Sequence, residues 1–286
     1  PALFWHQRVF CVFLESFACA AFKMGCGVSS AAPSQVEADA GDPVISPGAG
    51  SSVDERLSVL KKGAHVAVIF MLGSLCPITR GHVQCYEEGR KILLGDPSSK
   101  VVRPKRLQNF DECLGLISLN PDGHVMAKLA EKGQKALSLD QRAHLVRLAT
   151  ADYSWLSYDE GILNVGYYQR HYPDLNFLEF DMNGADDVVK YRKWECIKNW
   201  DDYYMLVMGR PGSTSIVLEA MERENIDRDD GKLIIGPELP DISSTAARKA
   251  SKNGDVDALL SMLHPAVADF LLKADGHAGV PAGIHK

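Results

Sequence analysis

The sequence predicts an α/β fold in which a parallel sheet carries helices on both faces, and three observations support that expectation. Residues 65–72, His-Val-Ala-Val-Ile-Phe-Met-Leu, form a continuous β-branched and apolar run ending at Gly73, as a strand covered on both faces requires. Residues 114–119, 176–180, 204–208 and 232–235 repeat that character, and each is followed by a helical pattern or a Gly/Pro turn. Strands alternating with helices imply a parallel sheet inside a three-layer sandwich.

Bulk properties agree and narrow the partners. A chain of 286 residues, 46% hydrophobic and 24% charged, can bury a sizeable core as one large domain or two small ones. The net charge of -6, from 31 basic and 37 acidic residues, gives no overall electrostatic reason to expect nucleic acid or an acidic membrane surface as partner. Any anion site must be built locally. The seven cysteines are scattered, with no Cys-x-x-Cys pair and no zinc-like His spacing, so a reducing compartment, cytoplasmic or nuclear, is expected. Glu15 and Lys23 interrupt the one apolar stretch near the N-terminus, which falls short of the roughly 20 residues a membrane span needs.

Residues 1–56 read as a flexible N-terminal extension, 57–274 as the folded domain beginning near Leu57, and 275–286 as a C-terminal tail. Residues 27–53 are rich in Ala, Ser, Pro and Gly, too poor in large apolar side chains to bury a core. Met24-Gly25-Cys26-Gly27-Val28-Ser29 fits an N-myristoylation pattern, with Cys26 available for a second lipid, if translation starts at Met24. A membrane partner is expected only in that case. The basic stretch 100–106 reads as a solvated connection, and a homo-oligomer is compatible with the sequence without being required by it.

After the first strand come Gly73-Ser74-Leu75-Cys76-Pro77-Ile78-Thr79-Arg80-Gly81-His82 and a helix over 81–94. Open parallel sheets bind ligands beyond the carboxyl ends of their strands, so this loop is the expected site. Its glycines let backbone approach a ligand, and amides at the following helix N-terminus favour an anion. His82, one turn into the helix, can donate a hydrogen bond to a phosphate held there. Taken alone, a Gly turn beside a surface histidine would need no ligand. Far down the chain, Asp241-Ile242-Ser243-Ser244-Thr245-Ala246-Ala247-Arg248 places three hydroxyls at a helix start, with Arg248 on the same face one turn later. An ordinary N-cap explains one hydroxyl, not three followed by arginine.

The first segment resembles the Gly-x-Phe-x-Pro and His/Thr-x-Gly-His signature of the nucleotidyltransferase superfamily. It carries Leu75 and Cys76 where the adenylyltransferases usually have Phe and Asn. The second is similar to that superfamily's Ile-Ser-Ser-Thr-x-x-Arg motif and is complete. The resemblance implies a Rossmann-like nucleotidyltransferase fold in which both motifs embrace the ATP phosphates, with His82 and Arg248 catalytic. Gly73, Ser74, Leu75, Thr79, Ser243, Ser244 and Thr245 then belong to ATP binding.

Asn183-Gly184-Ala185-Asp186-Asp187-Val188 resembles the Gly-Ala-Asp element of nicotinamide mononucleotide adenylyltransferases, which implies that Gly184 and Asp186 contact the nucleotide. Lys193-Trp194 and Met208-Gly209-Arg210 match that family's aromatic beside the pyridine and its strand-end Gly-Arg, so Trp194 and Arg210 are implied in mononucleotide binding. Core packing is the commoner fate of a lone tryptophan. Residues 138–149 look like the family helix leading into a strand that supplies Trp155, implied in mononucleotide binding with Trp194 and Arg210, and Asp159. Gly161 replaces a second tryptophan, and residues 120–136 are longer than usual. The implied activity is adenylyl transfer from ATP to nicotinamide or nicotinate mononucleotide, giving NAD or its acid form and pyrophosphate, with Mg²⁺ bound through the ATP phosphates. The alternatives are an adenylyl- or cytidylyltransferase for another phosphate acceptor, and a non-catalytic nucleotide-binding protein of the same fold.

Overall fold

The computed structural model describes residues 51–159 and 164–280. The acylation pattern at Met24–Ser29, most of the tether and Gly161 lie outside them. Six strands, β1 His65–Gly73, β2 Glu112–Leu119, β3 Leu156–Tyr158, β4 Asn176–Gly184, β5 Met205–Gly209 and β6 Leu233–Glu238, form one sheet in the order β3-β2-β1-β4-β5-β6. Every neighbouring pair is parallel. The chain winds outward from β1 to β3 and then returns to place β4 on the other side of β1. The carboxyl ends of β1 and β4 therefore flank the crevice where doubly wound sheets take ligands.

The strands read as unbroken apolar runs because both faces are covered. In β1, Ala67 and Ile69 face a core built with α2 Arg80–Leu94, α4 Leu139–Thr150, α9 Ser244–Lys252, α10 Val256–Met262 and α11 Pro265–Ala274. Val66 and Val68 face the other side, with α1 Ser51–Ser58 and α5 Val165–His171. In β5 the same alternation sends Leu206 and Met208 to the first core, and Met205 and Val207 to one built with α6 Ala185–Tyr191, α7 Trp194–Asn199 and α8 Thr214–Arg223.

Helix α2 lies close on the sheet because Gly89 faces it. A Cβ there would stand 2.6 Å from Leu206 Cδ2 and 3.0 Å from Ile69 Cδ1. The buried Tyr86 hydroxyl donates to the Leu116 carbonyl at 2.6 Å, and Gly95 ends the helix at φ 69°, the left-handed cap that glycine adopts without a Cβ clash.

Several boundaries differ from the sequence expectation. Helix α1 starts ahead of Leu57 and buries Val53 and Leu57, spaced four apart, on one face. Its remaining residues are polar enough to hide that stripe. Residues 120–136 contain α3 Asp122–Ala130. In the basic stretch, Arg103 donates to the carbonyls of Leu93, Leu107 and Gln108, and Arg106 pairs with Asp227, so this connection is tied down rather than simply solvated. No helix among the described residues is long and apolar enough to cross a membrane.

Candidate functional site

The loop after β1 is shaped by Gly73 and Leu75. Leu75 adopts φ 35°, in the left-handed region that non-glycine residues seldom enter, and its buried side chain folds back over Gly73. A Cβ at Gly73 would stand 3.0 Å from Leu75 Cδ2. Thr79 then caps α2, and its backbone N–H donates to His82 Nδ1 at 3.0 Å, with the Thr79 hydroxyl 2.8 Å from the same nitrogen. An amide N–H can only donate, so Nδ1 accepts, and the neutral ring carries its proton on Nε2. Burial of the ring, with the nearby Arg210 charge, lowers the His82 pKa to about 4. At neutral pH the side chain is an uncharged Nε2–H donor.

The start of α9 docks directly on this loop. The Ser244 hydroxyl donates to the Pro77 carbonyl at 2.8 Å, and Arg248 Nη1 donates to the Cys76 carbonyl. Gly81 permits the approach, since a Cβ there would lie 3.3 Å from Ile242 Cβ. Ser243 is the N-cap and accepts from the Ala246 N–H at 3.2 Å, while Thr245 Oγ1 accepts from Arg248 Nη2 at 3.1 Å. Two segments some 167 residues apart in the chain thus meet at the carboxyl edge of the sheet.

Arg210 closes the circuit from β5. Its backbone N–H donates to Thr214 Oγ1 at 2.9 Å, and that hydroxyl donates back to the Arg210 carbonyl at 2.8 Å. Its Nε lies 3.8 Å from Asp186 Oδ1, and its Nη1 lies 3.9 Å from Asp241 Oδ1. Gly184 caps α6 beside Asp186, where a Cβ would come within 2.6 Å of Asp186 Oδ1. The Arg210 charge also reaches the Cys85 thiol, opposing the burial that pushes its pKa up to about 12. His82 and Cys85 on α2, Arg210, Asp186, Asp241 and the start of α9 therefore surround one region beyond the carboxyl ends of β1, β4 and β5.

The two tryptophans are not part of it. Trp194 is 4% exposed and packs with Ala185, Val188, Ile197 and Tyr203 beneath α6 and α7. That is the packing fate weighed for it, because α7 turns its apolar face inward. Trp155 precedes β3 at that strand's amino-terminal end, edge-on to Tyr153 and under the Arg90 guanidinium at 5.0 Å. Cys76 is buried against Val125, Leu129, Ala136 and Leu137. Its thiol accepts from the Leu137 N–H at 3.4 Å, so it packs under residues 120–137.

Two further residues shape the site. Arg142 is fully buried and donates to the Leu137 carbonyl at 3.2 Å, the Ser74 carbonyl at 3.2 Å and Asp122 Oδ1 at 2.9 Å. The sequence holds a signal for it, since positions 142, 145, 146 and 149 form one apolar stripe interrupted by an arginine. Gln134 accepts from Arg248 Nε at 3.0 Å and Nη2 at 2.7 Å. A glutamine in an irregular polar segment carries no such signal.

A separate depression of about 630 Å³ between α4 and α11, lined by His144, Leu148, Phe270 and Lys273 among others, includes none of these groups. Its lining is mostly apolar.

No protein-family model matches the chain, and no curated protein matches it in sequence. Similar solved structures include Plasmodium falciparum nicotinic acid mononucleotide adenylyltransferase complexed with NaAD, with a TM-score of 0.47 and 12% identity, covering 74% of this chain and 97% of that one. The same enzyme complexed with APC gives a TM-score of 0.46 and 12% identity, covering 73% and 96%. The likeness is one of fold.

Proposed function

We propose that this protein is a nucleotidyltransferase that transfers the adenylyl group of MgATP to nicotinamide or nicotinate mononucleotide. One observation supports the reading above all others. The Thr-x-Gly-His and Ile-Ser-Ser-Thr-x-x-Arg stretches join through Ser244 on Pro77 and Arg248 on Cys76, bringing a neutral imidazole donor and a guanidinium to the same edge of the sheet. In the proposed reaction a 5′-phosphate oxygen of the mononucleotide attacks the α-phosphorus. The new P–O bond forms as the bond to the β-phosphate oxygen breaks, and pyrophosphate leaves. No nucleophilic side chain is needed, so catalysis rests on alignment and on charge placed in advance.

His82 supplies the Nε2–H, Arg210 and Arg248 supply charge, and the α2 N-terminus supplies backbone amides together with its positive dipole end. Asp186, exposed at the end of β4, faces the nucleotide hydroxyls. Magnesium enters as part of the substrate. Its coordination is expected through the phosphates.

The test is incubation with ATP, Mg²⁺ and each pyridine mononucleotide, followed by assay for the dinucleotide. His82→Ala should lower turnover by roughly 10²-fold or more with the fold intact, the usual loss for one donor to a developing negative charge. Turnover close to wild type would remove His82 from the mechanism. A second reading, transfer to another phosphate acceptor, is favoured by the burial of Trp194 and the placement of Trp155. Product formed with a different phosphate acceptor, and with neither pyridine mononucleotide, would select it.

A further inference from the structure

A guanidinium has five N–H donors in a planar fork, and four described hydrogen bonds engage Arg248. Nε donates to Gln134 Oε1 at 3.0 Å, Nη2 donates to the same oxygen at 2.7 Å and to Thr245 Oγ1 at 3.1 Å, and Nη1 donates to the Cys76 carbonyl. The Nε/Nη2 edge is one with which a guanidinium grips a carboxylate or phosphate through two parallel bonds. A single amide oxygen lies on it. With these contacts in place, Arg248 has one N–H left to offer a phosphate.

The segment that carries Gln134 is pinned at its ends and lightly held between them. Arg142 holds both feet, donating to Asp122 at one end and to the Leu137 carbonyl at the other, and it holds the Ser74 carbonyl of the β1 loop as well. Between the feet, over residues 123–136, only Val125 and Leu129 are buried. They pack with Cys76 in a small cluster separate from the main core. Gly123 and Gly133 have open space around them, and Gly133 sits at φ 62°, so two positions can absorb backbone rotation with no Cβ to collide. Few buried apolar contacts and much exposed backbone mark a stretch that opens at low free energy.

We propose that residues 123–136 form a gate on the polyanion site, in which the Gln134 amide stands in for a phosphate on Arg248 and withdraws when a triphosphate binds. The proposal rests on the reading of Arg248 as a triphosphate ligand. The gated state lowers apparent affinity by the fraction of molecules in which the fork is blocked, so loosening the latch tightens binding and strengthening it does the reverse.

Calorimetric titration with inorganic tripolyphosphate tests this directly. Gln134→Ala should bind about tenfold more tightly than wild type, because a hydrogen bond to a charged group no longer competes. Gln134→Glu, which sets a carboxylate on the fork, should bind at least about tenfold more weakly. Ala127→Glu adds the same charge at an exposed position of α3, seven residues before Gln134 in the chain, and should leave affinity within about twofold. Saturation of wild type with tripolyphosphate should also speed amide hydrogen exchange over residues 124–135. Unchanged or weaker binding by Gln134→Ala, alongside loss of binding in Arg248→Ala, overturns the gate and leaves the reading of Arg248 standing. Equal binding by wild type and Arg248→Ala, or no binding by any of the proteins, overturns that reading and the gate with it.

Discussion

His82 shows how a single residue obtains its chemistry from its neighbours. The Thr79 amide fixes the tautomer from one side, while burial and then the Arg210 charge depress the pKa to about 4 from the other. Nuclear magnetic resonance titration of the free protein should place the ring's midpoint near 4. Arg210→Ala should raise it while leaving it below 6.5, because burial is the larger cause and persists. A wild-type midpoint near 6.5 would refute the burial assigned to the ring. The sign of the linked stability follows. The folded pKa lies below the unfolded value, so between pH 6.5 and 4 the unfolded chain binds more protons. The contribution is complete above pH 6.5 and is lost as pH falls toward 4, a change of about 3 kcal/mol over that window. His82→Ala should flatten that part of the denaturation profile measured against pH. The sequence placed His82 correctly at the helix start. It could not show the lowered pKa, which depends first on burial of the ring in the folded protein and then on a guanidinium more than a hundred residues away.

At the level of elements, β1, β2, β4, β5 and β6 were legible because each is an apolar run followed by a helical pattern or a Gly/Pro turn, whereas β3, three residues long, is too short to print one. What escaped was structure held by polar groups. Helix α3 and the turn after it bury only two side chains, too few to print a period on the sequence, and their position is set by the fully buried Arg142. That arginine joins three elements: α3 through Asp122, the start of α4 through the Leu137 carbonyl, and the β1 loop through the Ser74 carbonyl. Arg142→Ala should therefore cost about 3–5 kcal/mol in denaturant unfolding, the combined effect of a cavity, two carbonyls left without their donor and an unpaired aspartate. A loss below about 1 kcal/mol would show that the three elements hold their places without it. The tryptophans mark the opposite limit of legibility. Trp155 and Trp194 each occur in a plausible local context, but nothing local distinguishes a ring that opens to a ligand from one that closes a core.

Across the whole molecule, the sheet divides labour between its two edges. Beyond the carboxyl ends lie His82, Arg210, Asp186 and Arg248. Toward the amino-terminal end of β2, Arg56 donates to the Ser154 hydroxyl and pairs with Glu112, which Arg90 also holds. The strand order was the part of the topology that alternation alone could not deliver, because it depends on which edge of β1 receives β4. That choice assembles the crevice. The separation of edges makes a thermodynamic prediction, since perturbations far apart with no shared partner act additively. MgATP at about a hundredfold excess over its Kd should stabilise the native state by about 2.7 kcal/mol, raising Tm by roughly 5–10 °C for a domain of this size. Arg56→Ala should lower the starting Tm and keep that rise undiminished, because it weakens only the distant edge. Arg248→Ala should lose most of the rise whatever it does to the starting Tm. Differential scanning calorimetry of the three proteins, with and without MgATP, separates the cases. If Arg56→Ala and Arg248→Ala lose the rise equally, nucleotide binding is not confined to the carboxyl edge, and the division between architecture and site fails.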